Sequence, residues 1–178
     1  MEPGKEQIIL ISERLLFRQH TMADMDAFCA MEQDPEVRRY VGGKPRTREE
    51  AERRFINGPL QPVNDRMAVL KSENKYIGRC GVYLHYKPDG QIIKSEGTLG
   101  FYIAHEYCGK GFATEAGRAF IQFGFNELQL KRIVATVEVG NDASVHVIEK
   151  LGFTLVETEH GSRSFYHFML ENANNDVL

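Results

Sequence analysis

The stretch Tyr102-Ile103-Ala104-His105-Glu106-Tyr107-Cys108-Gly109-Lys110-Gly111-Phe112-Ala113-Thr114-Glu115-Ala116 constrains this chain most. A strand-like run enters a loop with two glycines, and a helical pattern starts at once. The first N–H groups of a helix lack partners within it, and the dipole there favours negative charge. Glycines let a phosphate approach the backbone closely. The stretch therefore suits a pyrophosphate, although a Gly-x-Gly before a helix also serves as a plain tight turn. It is not a Walker loop, because Gly109-Lys110-Gly111 lacks the Lys-Ser/Thr ending. It is not a dinucleotide fingerprint, because a third glycine and a distal acid are missing.

The rest of the chain supplies elements to either side. Leu15-Leu16-Phe17 reads as a first short strand. Thr21, with Asp24 three residues on, reads as a helix start, followed by Met22, Met25, Phe28 and Cys29 on one apolar face. Asp34-Pro35 ends or kinks that helix. Thr47-Arg48-Glu49-Glu50 is a capping box opening a second helix with Ala51 and Phe55, closed by Gly58-Pro59. Residues 67–70, 76–84 and 97–104 are candidate strands, with a turn at Lys87-Pro88-Asp89-Gly90. A long helix is expected over about 113–128. Ala116, Phe120 and Phe123 line one side of it and Ile121, Phe125 and Leu128 another, so both sides are covered. Residues 132–139 alternate as a strand, about 143–151 form a short helix, and 154–157 and 164–170 close the chain as strands. This order indicates a mixed α/β sheet with helices on both faces.

Composition narrows the functional classes. The 178 residues are 42% hydrophobic and 26% charged, enough for one well-filled domain and ordinary for a globular chain. The domain is expected over residues 1–171, with 172–178 a frayed polar tail. A net charge of −3 makes no electrostatic case for nucleic acid. No apolar run approaches the roughly 18 residues of a membrane span, and the polar start resembles no secretory signal. Cys29, Cys80 and Cys108 form neither a zinc pattern nor a disulfide framework, which fits a reducing cytoplasm, and the histidines show no metal-ligand spacing.

Residues 108–113 resemble motif A of the GNAT superfamily of acetyltransferases, Gln/Arg-x-x-Gly-x-Gly/Ala, with Cys108 departing at the first position. Asn141-Asp142-Ala143-Ser144 followed by Glu149-Lys150-Leu151-Gly152-Phe153 resembles the Asn-x-x-Ser…Glu-Lys-x-Gly-Phe signature of the branch that acetylates ribosomal-protein N-termini. Glu13-Arg14-Leu15-Leu16-Phe17-Arg18 and Asp34-Pro35-Glu36-Val37 resemble its opening. The resemblance spans nearly the whole chain. It implies a central twisted, mostly antiparallel sheet splayed into a V, with acetyl-coenzyme A as cosubstrate. The backbone of Tyr102 and Ile103 is expected to hold the pantetheine arm. The N–H groups of Gly109, Lys110, Gly111, Phe112, Ala113 and Thr114, next to Cys108, are expected to hold the pyrophosphate. Asn141 is expected to bond the pantetheine, cap the following helix, or both.

The expected reaction is direct attack by a primary amine on the thioester in a ternary complex. The amine must be neutral. At neutral pH about a tenth of peptide α-amino groups qualify, with a pKa of roughly 8, against under about a thousandth of lysine side chains. The departing thiolate wants a hydrogen-bond donor. Many family members place a tyrosine where this chain has Ile148, and Ser144 is the substitute the resemblance suggests. Relatives often carry a base where Thr98 stands. Glu96 lies two residues earlier on the same strand face, with His85 and His167 as further candidates. A protein N-terminus is the favoured acceptor. A polyamine, antibiotic or amino-acid derivative is the alternative, and a non-catalytic acetyl-coenzyme A sensor is a third reading. A monomer or homodimer is expected, without metal, nucleic acid or membrane.

Overall fold

The computed structural model describes residues 8–57, 66–87 and 90–173. The expected helix end at Gly58-Pro59 and the turn residues Pro88 and Asp89 lie outside them. Among the described residues one eight-stranded sheet runs in the order β1-β2-β3-β4-β5-β6-β8-β7. Its strands are β1 (Ile8–Ile11), β2 (Leu15–Arg18), β3 (Arg66–Leu70), β4 (Lys75–Tyr86), β5 (Ile92–Ile103), β6 (Arg132–Glu138), β7 (Thr154–Glu159) and β8 (Phe165–Glu171). Every neighbouring pair is antiparallel except β5 and β6.

That exception shapes the molecule. β5 and β6 pair only through Glu96–Arg132, Gly97–Ile133 and Thr98–Val134. Beyond Thr98 the strands part, as the V-shaped expectation requires. β5 stays paired to β4 up to Ile103, and β6 stays paired to β8 along its whole length. The wedge therefore opens inside the sheet while both walls remain supported.

Helices α1 (Met25–Gln33), α2 (Pro35–Arg38) and α3 (Arg48–Asn57) serve one face, and α4 (Phe112–Asn126) and α5 (Asp142–Lys150) the other. Alternation on β4, shifted by one residue at a bulge between Tyr76 and Gly78, sorts the side chains. Tyr76 joins Phe28, Met31 and Phe55 beneath α1 and α3, while Ile77, Cys80 and Val82 join Phe17, Phe120 and Ile133 beneath α4. Phe17 meets Phe120 edge-on at 4.9 Å. Each such fully buried side chain contributes about 1.5–3 kcal/mol. α4 lies close on β6, since a Cβ at Gly124 would come within 2.9 Å of Ile133 Cδ1.

Local signals explain most boundaries. Thr21, expected as a helix start, forms a capping box with Asp24, but it opens a 3-10 turn, Met22–Asp24, and α1 begins only at Met25. Met22 thus leaves the apolar face and is 68% exposed. Asp34 ends α1 and caps α2 by accepting the Glu36 N–H at 2.8 Å. Thr47 and Glu50 exchange the two bonds of a capping box at 2.8 and 3.2 Å. β1 was not among the expected strands. It is a half-exposed edge without clean alternation. At the other end Asn172 still donates to the carbonyls of Lys131 and Leu130, at 2.8 and 3.2 Å.

One buried ion pair and one carboxylate shared by four arginines fix the helices on the first face. Arg18 grips Asp24 with two bonds of 2.7 and 2.8 Å. Glu32 accepts from Arg79 at 2.9 Å and Arg46 at 2.8 Å, with Arg38 at 3.3 Å and Arg54 at 3.8 Å. One carboxylate thereby ties α1, α2, α3 and β4 together.

Candidate active site

The wedge between β5 and β6 is a groove lined by, among others, Tyr40, Tyr102, Thr136, Asn141, Ser144 and Ile148. Its β5 wall runs on past Ile103, through the short turn His105–Tyr107, to the start of α4. There Gly109 and Gly111 take φ of +74° and +83°, a left-handed conformation that glycine adopts without strain. A Cβ at Gly109 would meet nothing within 4 Å, and one at Gly111 only the Arg14 guanidinium at 3.4 Å, so the space above both is open. The first helical bond of α4 runs from Glu115 N–H to Gly111 C=O at 3.0 Å. The N–H groups of Phe112, Ala113 and Thr114 therefore have no acceptor within the helix. Open space over two glycines beside free N–H groups fits a pyrophosphate.

Arg14 holds this loop. Its guanidinium donates to the Lys110 carbonyl at 3.1 Å and to Glu115 at 2.7 Å, and it lies 4.3 Å over the Phe112 ring. Glu115 also accepts from Ser12 Oγ and the Arg14 N–H, each at 2.7 Å. Burial pushes its carboxyl upward, but these bonds outweigh burial and hold it below the ordinary value. Lys110 places its ammonium 5.1 Å from the Tyr107 ring centre. Cys108 directs its sulfur at the Ile103 and Ala104 carbonyls, 3.7 Å from each. Partial burial, with the charge of Asp34, raises its thiol pKa, so it is protonated at neutral pH.

At the other wall Asn141 accepts the Ser144 N–H at 3.3 Å and so caps α5. Among the described residues no partner takes the Ser144 hydroxyl, which borders the groove. Tyr102 stacks on the buried Arg79 guanidinium at 4.5 Å and also borders the groove, one residue before Ile103. The structure thus brings Tyr102, Asn141 and Ser144 to one cavity, and the loop from Cys108 to Thr114 follows its β5 wall in the chain. It leaves Glu96 apart. That carboxylate sits at the closed end of the V, 2.5 Å from Arg132 and held by it. Thr98 stands at the last paired position with His85 at 2.9 Å.

Tyr40 and Val41 are not among the residues that the sequence reading singles out. The loop after α2 carries them over the groove, and the Tyr40 hydroxyl donates to the Gly140 carbonyl at 2.8 Å. The Gly42-Gly43 pair, at φ of +82° and +79°, is the only local sign of that turn. Glu138 is the charged residue lining the groove, and its bonds from Arg163 hold its carboxyl below the ordinary value. A larger concavity, about 430 Å³, lies between β1 and α4. Glu13, Glu115 and Glu127 outnumber Arg118 in its lining, which opposes a phosphate-bearing ligand, so the wedge is the candidate site. Among the described residues no group of three or more His, Cys, Asp or Glu is placed to hold a metal ion, and no helix is long and apolar enough to cross a membrane.

The profile of the Acetyltransferase (GNAT) domain matches residues 14–154. The chain is 32% identical over 153 residues to the uncharacterized N-acetyltransferase p20 of Bacillus licheniformis, covering 81% of each. It is 33% identical over 126 residues to the spermidine N(1)-acetyltransferase of Escherichia coli, covering 64% of this chain and 62% of that one. A crystal structure of a GNAT-family acetyltransferase from Bacillus anthracis superposes with a TM-score of 0.79 at 25% identity, covering 91% of this chain and 97% of the other.

Proposed function

The chain belongs to the GNAT family and is an acetyltransferase, and we propose that it moves the acetyl group of acetyl-coenzyme A to a primary amine at a protein N-terminus. The observation that carries this reading is the wedge beyond Thr98 and Val134, whose β5 wall runs on into the open loop at Gly109 and Gly111. When bound, acetyl-coenzyme A supplies an activated thioester carbonyl. The N–H groups of residues 109–114 hold its pyrophosphate, with Lys110 adding charge beside Cys108. The parted edge of β5 at Tyr102 and Ile103 holds the pantetheine arm as a strand would. Asn141 borders that arm while capping α5. The Ser144 hydroxyl donates to the departing sulfur, because Ile148 supplies no proton there. One domain, monomeric or as a homodimer in the cytoplasm, suffices for this chemistry.

The acceptor is read from charge and basicity. Glu138 is neutralised by Arg163, so the groove offers little attraction to a multiply charged amine. An α-amine, with a pKa of roughly 8, is already about a tenth neutral at pH 7. A polyamine is the second reading. The likeness to a spermidine acetyltransferase and the exposed Glu157 and Glu159 on β7 favour it. Thiol release with acetyl-coenzyme A and a panel of Ala- and Ser-initiated peptides, spermidine and free lysine decides between them. Higher kcat/KM on the peptides supports the first reading, higher kcat/KM on spermidine the second. No release with any acceptor overturns the catalytic assignment of this groove.

A further inference from the structure

We propose that His167 is the base of the transfer, reached by the acceptor amine through the Thr136 hydroxyl and oriented by Glu159; this rests on the acetyltransferase reading above. Thr136 lies on β6 two residues past Val134, where the wedge opens, and lines the groove. His167 is its direct neighbour across β8, with Nδ1 3.3 Å from Thr136 Oγ1. The other ring nitrogen, Nε2, lies 3.1 Å from Glu159 Oε2. An ionised carboxylate only accepts, so in the neutral ring Nε2 carries the hydrogen and Nδ1 keeps its lone pair. The Thr136 hydroxyl then donates to Nδ1 and has lone pairs left for an N–H in the groove.

The other groups near the wedge are less suited. Glu96 is held by Arg132 at the closed end, Glu138 is held by Arg163, and His85 bonds Thr98 behind the point where the strands part. The charged groups facing His167 are Glu138 on β6, Glu157 and Glu159 on β7, and Arg163 before β8.

The proton balance closes. The acceptor ammonium gives one proton to Thr136 Oγ1 as the hydroxyl proton passes to His167 Nδ1. The freed nitrogen lone pair forms the N–C bond to the thioester carbonyl carbon. The C–S bond breaks, and its electron pair leaves on sulfur. The surplus proton on nitrogen ends on that sulfur as thiol, and His167 returns its proton to water.

The test uses the full chain with whichever acceptor the panel finds. His167→Gln should lower kcat about 100-fold or more, and Thr136→Val should lower it in the same direction. Acetyl-coenzyme A affinity by calorimetry should stay within about twofold for both, which also shows that they are folded. Added imidazole should restore turnover to His167→Ala. In the protein without ligand, nitrogen NMR shifts should place the His167 hydrogen on Nε2, and Glu159→Gln should disturb that tautomer. Native kcat in His167→Gln overturns the proposal, as does a loss that imidazole cannot restore or a hydrogen on Nδ1. If the wild-type protein releases thiol while His167→Gln matches it, only the base assignment falls. If the wild-type protein binds no acetyl-coenzyme A, the underlying reading falls and takes this one with it.

Discussion

Replacing Ser144 by alanine separates a chemical from a structural part for that hydroxyl. The start of α5 is capped by Asn141, whose side chain accepts the Ser144 backbone N–H at 3.3 Å. That N–H survives in Ser144→Ala, so the capping loss of about 1 kcal/mol does not arise. Alanine is also the better helix former by up to about 0.5 kcal/mol. For a chain of this size 1 kcal/mol corresponds to about 2–4 °C, so the melting temperature should hold or rise by about 1–2 °C. The hydroxyl borders the groove without a partner among the described residues. A neutral donor to a developing thiolate is worth about 1.5–3 kcal/mol, so kcat should fall about ten- to a hundredfold. Because the charge exists only as the C–S bond breaks, KM should change little. Continuous thiol detection together with a melting curve on the same preparation gives both numbers. Native kcat with a lowered melting temperature would refute the reasoning and make Ser144 a structural residue.

Glu32→Ala should cost about 3–5 kcal/mol in urea denaturation, because the buried Arg38 and Arg79 would lose their shared carboxylate. A loss below about 1 kcal/mol would mean that water or another acid replaces it. Stability should also fall in acid. Burial raises the Asp24 carboxyl, but its bonds from Arg18 and Thr21 outweigh that and leave it lowered. A carboxyl lowered on folding contributes stability that is fully present above its unfolded pKa of about 4 and is lost as pH falls through the folded value. The urea midpoint should therefore change little through this pair from pH 7 to about 5 and drop below about 4. Asp24→Asn should flatten that drop, and an unchanged slope would remove Asp24 from its cause.

The parts legible in the sequence are those governed by near neighbours. The box at Thr47, the end of α1 at Asp34-Pro35 and the glycine loop before α4 depend on residues at most a few positions apart, and each sits where its spacing placed it. The alternation of Ile133, Ala135, Val137 and Val139 marked the buried face of β6 for the same reason, correctly as far as Val137, while Val139 lies past the strand end and is 39% exposed. The V came from resemblance to known families, because strand divergence is a relation between segments about 35 residues apart, with only three paired residues on each side. Tyr40 reaches Gly140 across 100 positions, and no local pattern carries that. Glu96 shows the limit of reasoning from a strand face. Period 2 placed it on a face, but Arg132 on the neighbouring strand decides which end of the wedge it occupies.

Coenzyme binding can be read directly from backbone amide shifts in a nitrogen-15 labelled sample titrated with coenzyme A. If the glycine loop before α4 takes the pyrophosphate and β5 takes the pantetheine arm, the largest shifts fall at Gly109, Gly111, Phe112, Ala113 and Thr114. Tyr102, Ile103 and Asn141 then follow, and the amides lining the concavity between β1 and α4, such as Gln122 and Asn126, stay in place. Saturable shifts confined to that concavity, with residues 109–114 unmoved, would contradict the assignment of this loop and the function built on it.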